Sequence, residues 1–513
     1  MSNRFSQHVP DILDCLAQLS NDEVPTPPTL AKDMLDLLPG EVWSRPDFTW
    51  LDPFCKSGVF LREAATRLLD GLSDWEPDFV ARREHIFRKM LFGTSITEMT
   101  GIISRRSVYC SADASSVHSV VRFDDPAGNL PFIRDEHDFD ASGRCKICRA
   151  PLGHQHGDSR ENHAYSFIHG AYPNEEIVGM KFDVIVGNPP YQLEDGGHNA
   201  SAIPIYQHFV QGALDLRPRY VVMITPSRWF AGGRGLDVFR ARMLRDGHVR
   251  KLVDYPKLYD AFPGVKIRGG VSYFLWDRDN AGPCSVQTMW DGQPVGPAVE
   301  RYLNEYDVLV RRNEAVSILE KVRSYATGGA PEAVLRQRVS GGKPFGLRTF
   351  FHGADTPSGM VEPIKLYGSK RVTWIERSEI PVNVGWVDDW KVLMTAVQGT
   401  SAAIETKFLS NPIVGGPGIA CTETYLVAGR FSTKLEAERY AAYLRTRFVR
   451  FLVSLRKATQ HATRDVYAFV PDVPLDRVWT DEDLYSRYGI SADEIAFIES
   501  QVKEMTPEDG DHE

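Results

Sequence analysis

Cysteine is scarce in this chain. Seven thiols among 513 residues are too thinly spread for the disulfide framework of a small secreted protein. No apolar run reaches the roughly 20 residues of a membrane-spanning helix, and the N-terminus has no basic segment followed by an apolar one. Neither secretion nor a membrane partner is therefore expected. Positive charge is not in excess either. The formal net charge of −9 excludes a uniformly basic nucleic-acid binder but leaves room for a basic groove on an acidic body. No internal repeat and no nuclease or helicase signature is found. What is present suits ordinary globular cores: 42% hydrophobic and 11% aromatic residues, in a length that predicts two or three domains.

The most informative stretch is Gly187-Asn188-Pro189-Pro190-Tyr191, directly after the apolar run Phe182–Val186. The run reads as a buried strand, so the motif sits at the rim of a sheet. There the Asn188 side-chain oxygen and the Pro189 carbonyl offer two acceptors to one amino group. Tyr191 adds a flat face for a planar base. A plain strand followed by a Pro-Pro turn is the competing reading, and four specified residues behind one strand argue against it.

A second motif lies upstream. Phe48–Leu51 leads into Asp52-Pro53-Phe54-Cys55-Lys56-Ser57-Gly58, and Leu61, Ala64, Ala65 and Leu68 then recur at helical spacing. In this strand, tight turn and helix, Gly58 lets a ligand approach the backbone and Asp52 can hold a cationic amino group. Taken alone, the turn could equally be a helix cap without a ligand.

Together the two motifs resemble the adenine-specific DNA methyltransferases of restriction–modification systems, the Taq-like group of gamma motif order. The resemblance covers about the first 290 residues. It implies a Rossmann-like α/β methyltransferase domain that binds S-adenosylmethionine, followed by a C-terminal mixed α/β target-recognition domain. It also implies a cytoplasmic, prokaryotic setting with double-stranded DNA and a separate restriction endonuclease subunit as partners. Within it, Asn188, Pro189, Pro190 and Tyr191 act on the flipped base, and Phe262 supplies a second aromatic. Thr26, in Val24-Pro25-Thr26-Pro27-Pro28, contacts the cofactor, as do Asp52, Pro53, Phe54 and Gly58. Pro27 and Pro28 also suit a helix N-terminus. Two departures stand out. Lys56 occupies a position where the family has Gly, and no acidic residue directly follows Leu91-Phe92-Gly93. Glu98 is the nearest candidate for the ribose, with Ser95 or Thr97 as alternatives. Asp124, at the expected end of a third strand, is the candidate for the cofactor's adenine.

Cys145-Lys146-Ile147-Cys148, flanked by Gly143 and Pro151, predicts a zinc knuckle. Cys110 is the expected third ligand and His163 the preferred fourth among His154, His156, His163 and His169. Reduced free thiols are the alternative, and a redox pair is disfavoured because no thioredoxin-like aromatic context surrounds it.

The expected organisation is a catalytic domain over residues 1–295, with the knuckle inserted at about 110–170. A helical connector over 296–335, a recognition domain over 336–505 and a disordered tail at 506–513 follow. Between Arg430 and Arg464, Tyr440, Tyr443, Leu444, Phe448, Phe451 and Leu452 predict a buried stripe, and the interleaved Arg and Lys are expected to face phosphates. Two alternatives remain open at this stage. One is methylation of an RNA adenine or a protein glutamine, and the other is a non-catalytic DNA-binding subunit.

Overall fold

The computed structural model describes residues 24–152, 164–173, 181–193 and 203–507, apart from positions 234, 258, 264, 266, 268, 328–329, 398–407 and 458–461. The chain divides into two compact units, Met1–Leu309 and Val310–Glu513.

The first unit is built on one large sheet. In chain order its main elements are α1 (Pro28–Leu35), β1 (Trp50–Cys55), α2 (Val59–Gly71), β2 (Leu91–Ser95) and α3 (Glu98–Tyr109). A short pair, β3 (Arg134–Asp135) and β4 (Ala164–Tyr165), brackets the cysteine knuckle. Then come β5 (Val184–Gly187), α4 (Tyr206–Asp215), β6 (Tyr220–Pro226), α5 (Asp237–Arg245), β7 (Val249–Tyr255), β8 (Val271–Asp277), β9 (Cys284–Trp290), β10 (Gln293–Pro294) and β11 (Val299–Arg301). The strand order is β10-β9-β7-β8-β6-β5-β1-β2, with β11 on β9. Strands β2, β1, β5 and β6 are parallel, and β8 runs antiparallel between β6 and β7. This is the Rossmann-like α/β sheet expected from the sequence.

Every residue of β1, β5 and β6 is buried, as continuous apolar runs in a sheet covered on both faces require. Alternation along the strands divides them between two cores. Trp50, Val184, Val186, Val222 and Ile224 pack with α1 and α2. Leu51, Ile185, Val221 and Met223 pack with α4 and α5 on the other face, together with Cys145 and Cys148.

Two sequence expectations need correction. No strand ends at Phe123–Asp125. The irregular segment 129–132 runs beside β2 instead, where the Gly93 and Ser95 amides donate to the Asn129 and Pro131 carbonyls, each at 3.0 Å. A tertiary pairing thus sets that edge, not an apolar run. The helix of the connector expected over 296–335 is confined to α6 (Glu314–Ser324), because Val299–Arg301 is drawn onto β9.

The second unit is mixed α/β. Strand β12 (Pro363–Gly368) pairs with β13 (Arg371–Glu376) and β16 (Ile419–Cys421), and β14 (Trp390–Thr395) pairs with β15 (Ile413–Gly415) and β17 (Tyr425–Phe431). Helices α7 (Lys434–Arg445), α8 (Arg447–Ser454), α9 (Asp481–Tyr488) and α10 (Ala492–Gln501) follow. Lys321 of α6 pairs with Glu494 of α10 at 2.6 Å. In α8, Phe448–Val453 are all buried, as the stripe predicted. The basic residues depart from expectation. Arg450 is 0% exposed and donates to the carbonyls of Arg445, Thr446 and Lys503. Lys457 is buried and donates to Phe408 O. Arg445 is held by Asn411 and Pro412, and Arg447 lies between Glu499 and Glu504. A helix buried on all sides leaves its cations no outward face. Arg450 and Lys457 are therefore internal structure, while Arg430, Lys434 and Arg464 stay exposed.

Candidate active site

The turn after β1 and the turn after β5 are neighbours because β1 and β5 pair in register, Trp50 opposite Val184 and Leu51 opposite Ile185. Their contact is close. A Cβ at Gly187 would stand 2.3 Å from the Phe54 ring and 2.9 Å from Asp52 Oδ1, so glycine is what permits the approach. Gly58 begins α2 with φ +71°, and a Cβ there would meet Ser104 O at 2.9 Å. The turn is thus open to a ligand on one side and pressed against α3 on the other.

Thr26, Asp52, Phe54, Gly58 and Asn188 line one narrow cleft, together with Lys56 and Ser57. The sequence had assigned five of these to base or cofactor, and the fold brings them together. Asp52 is 3% exposed. Its Oδ1 accepts from the Phe54 amide at 3.2 Å, and burial pushes its carboxyl up to about 7. Asn188 Nδ2 donates to Val24 O at 3.1 Å and to Thr26 Oγ1 at 3.2 Å. Its Oδ1 is buried and finds no hydrogen-bond partner among the described residues. Lys56 also reaches Val24 O, at 3.3 Å, and its Nζ lies 5.9 Å from the centre of the Tyr191 ring. The non-glycine residue in this turn therefore ties the N-terminal segment to the turn after β5. Pro189 and Pro190 are buried, and Tyr191 is half-buried at the edge of the core. Phe262 is 2% exposed in that core, so it can present its ring only if its cover moves.

A second, close-packed crevice lies beside the β1 turn. It is lined by Pro53, Ser95 and Ile96 together with Ile133, Tyr165 and Phe167. Glu98 and Asp124 reach neither cleft. Glu98 is exposed in the first turn of α3, where Thr97 serves as the N-cap, and Asp124 is exposed in a bend. Ser95, weighed beside Glu98 in the sequence, lines the second crevice in its stead. The aromatic lining from the insertion had no local signal.

The cysteine knuckle also gathers a set of donors. Cys148 Sγ lies 3.5 Å from His137 Nδ1, and Cys145 Sγ lies 3.9 Å from His169 Nε2. All four ligand atoms fall within 4.8 Å of one another. Cys110 is an exposed C-cap residue of α3 and no member of the group. His163, with His154 and His156, lies outside the described residues. His137 went unconsidered, although it stands eight positions before Cys145.

Comparison with known proteins bears on the whole arrangement. An adenine-specific methylase of Mycoplasma pneumoniae, described as uncharacterized, is 33% identical over 347 residues, covering 62% of this chain and 82% of that one. The chain belongs to the adenine-specific methylases. The profile of the Eco57I restriction-modification methylase family matches residues 89–262, a span that includes the Asn188 motif. Among solved structures, the chain resembles the type I restriction-modification methyltransferase subunit of Streptococcus thermophilus with 13% identity and TM-score 0.35, covering 55% of this chain. It resembles the DrdV–DNA complex with 13% identity and TM-score 0.46, covering 91% of this chain. The chain spans 52% and 59% of the lengths of those two proteins. The family's methyl donor is S-adenosylmethionine. The residues present fit it: the buried Asp52 carboxyl and the partnerless Asn188 Oδ1 line one cleft with Thr26 and Gly58. Among the described residues no helix is long and apolar enough to cross a membrane.

Proposed function

We propose that this chain is a site-specific DNA adenine methyltransferase of a restriction–modification system, acting on the exocyclic amino group of an adenine turned out of the duplex. The observation that carries this reading is Asn188 Oδ1. It is a buried acceptor without a partner, held in the Asp52 cleft by an amide whose other end is anchored to Val24 and Thr26. A buried carbonyl oxygen left unsatisfied costs about 1–3 kcal/mol, and an incoming amino group removes that cost.

S-adenosylmethionine, when bound, supplies an electrophilic methyl group. The chain's own residues do the rest by orientation and electrostatics. Asn188 Oδ1 and the Pro189 carbonyl accept the two amino hydrogens and so aim the nitrogen lone pair. Asp52, ionised beside a cationic amino group, and Thr26 hold the cofactor's amino-acid end. Gly58 lines the same cleft and lets the turn pack closely on α3, and Pro53 and Ser95 border the crevice beside it. Turning a base out of the stack costs a few kcal/mol, and stacking on Tyr191 offsets roughly 1–3 kcal/mol of it. The nitrogen becomes more acidic as it is alkylated, so its proton leaves to solvent without a dedicated base. A structural zinc ion in the insertion belongs to the same reading. So do the second unit as the reader of the DNA site and a separate restriction endonuclease as partner.

Tritium transfer from labelled cofactor into DNA, RNA and protein, measured side by side, tests this. Label in DNA that digests to N6-methyladenine is the expected result. Label confined to RNA or to protein glutamine would refute it.

A further inference from the structure

The cysteine–histidine group is not remote from the first unit's clefts. Strands β3 and β4 pair with Arg134 opposite Tyr165 and Asp135 opposite Ala164. His137 lies two residues beyond β3, and His169 closes the one-turn helix Ser166–His169 that follows β4. The two histidines thus hang from the two arms of a single hairpin base. That base also packs beside the β1 turn: Ile133, Tyr165 and Phe167 line one crevice with Pro53, Ser95 and Ile96. Phe132 pairs with Ser95 of β2 by an isolated parallel bridge. Phe167 packs edge-on to Phe54 of the cofactor turn, at 6.2 Å between ring centres.

The knuckle is built to place its sulfurs. The Cys145 amide donates to Ala150 O at 2.8 Å, and the Arg149 amide returns to Cys145 O at 3.1 Å. Arg149 takes a positive φ of 63° to close the turn. Both sulfurs point into the core while the two histidines remain half-buried. A tetrahedral zinc ion, with Zn–S about 2.3 Å and Zn–N about 2.0–2.1 Å, separates sulfur and nitrogen ligands by roughly 3.6 Å. The 3.5 and 3.9 Å separations match this. Two thiolates and two imidazoles form a closed structural set with no position left for substrate.

We infer that His137, Cys145, Cys148 and His169 bind one zinc ion, and that this ion fixes the Ile133–Tyr165–Phe167 segment packed against Phe54 of the β1 turn, so that zinc loading and cofactor affinity are coupled. The coupling rests on the methyltransferase reading; the zinc site does not. The ion plays no part in methyl transfer. It joins two arms that otherwise share a ladder of only two residue pairs, and so reduces the freedom that segment loses when a ligand settles against the turn.

The test uses the full-length protein purified without chelators. Elemental analysis gives zinc per chain, and calorimetry gives the affinity for S-adenosylhomocysteine. The expected result is one zinc per chain in the wild type. His137→Ala with His169→Ala should lose the metal and weaken S-adenosylhomocysteine binding about tenfold or more. Because the variant could misfold, wild-type protein is also stripped with a chelator and reloaded. Affinity should fall on stripping and return with zinc but not with magnesium. Wild-type protein free of zinc overturns the metal site. Stripped protein that binds S-adenosylhomocysteine as tightly as loaded protein overturns the coupling. Zinc-loaded wild type that binds none overturns the cofactor reading and the coupling, and leaves the metal site standing.

Discussion

Two buried polar side chains, one in each unit, show how burial alone misleads. Asn188 ends a central strand of the first unit, and Arg450 lies inside α8 of the second. Both are almost wholly excluded from solvent. Arg450 gives its guanidinium to three main-chain carbonyls, and burial lowers its pKa to about 10. Its charge is taken up in holding a helix corner together. Asn188 uses its amide nitrogen on Val24 and Thr26 but leaves its oxygen without a partner, in a cleft. A buried cation that spends its bonds on main-chain carbonyls is architecture. A buried amide that keeps a bond in hand beside an opening is a site.

The sharpest way to break this contrast is Asn188→Ala. Loss of an orienting contact made in the transition state should lower the methylation rate about 100- to 1000-fold. Because Asn188 also anchors Thr26, a smaller loss of cofactor affinity should accompany it. Comparing single-turnover rates with calorimetric affinity checks the ratio, and equal losses in both would make Asn188 a scaffold like Arg450. The mirror experiment is Arg450→Met. It strands carbonyls that Arg450 now serves, and should lower unfolding stability by about 2–4 kcal/mol in urea titrations. The salt dependence of DNA binding should stay unchanged, whereas a flatter salt slope would return Arg450 to the phosphate-facing surface.

A third test uses pH. Burial lifts the Asp52 carboxyl from 3.8 to about 7, so the folded free protein keeps this proton where the unfolded chain has lost it. That contribution to stability is complete below pH 3.8 and disappears as pH rises through about 7. A cationic amino group reverses the preference by favouring the carboxylate. Affinity for S-adenosylhomocysteine should therefore climb with pH toward about 7, by up to about tenfold per unit, and then level off. Calorimetry across that range checks the profile, and Asp52→Asn should flatten it. The smallest effect is expected at Arg430, in the same basic stretch as Arg450 but exposed and paired with Asp389 at 2.9 Å. Arg430→Gln should change stability by no more than about 1 kcal/mol in the same urea titration.

These differences also mark what the sequence could reveal. The turns at Asp52–Gly58 and Gly187–Tyr191 were legible because each is a local sequence with local geometry, a strand running into a tight turn. Their meeting followed from the parallel sheet, which places strand ends on one edge. The Cys-x-x-Cys knuckle was local too, but its histidines were not. His137 and His169 are selected by the β3–β4 pairing, which no spacing rule contains. The third sheet edge was misplaced for the same reason, since segment 129–132 is held by bonds to β2 without an apolar run of its own. In α8 the apolar period correctly predicted burial. It could not show that the helix is enclosed from every side, which is what turns Arg450 inward.

Gly187 carries a consequence for how such an enzyme can change over generations. Its missing methyl is the space that the Phe54 ring occupies. Any larger residue at 187 collides with the cofactor turn, at an overpacking cost of about 1–3 kcal/mol. A smaller residue at 54 opens a void behind Asn188. Neither position can change alone without such a cost. Gly187→Ala should be relieved in part by Phe54→Leu, because the contact with Asp52 Oδ1 at 2.9 Å remains.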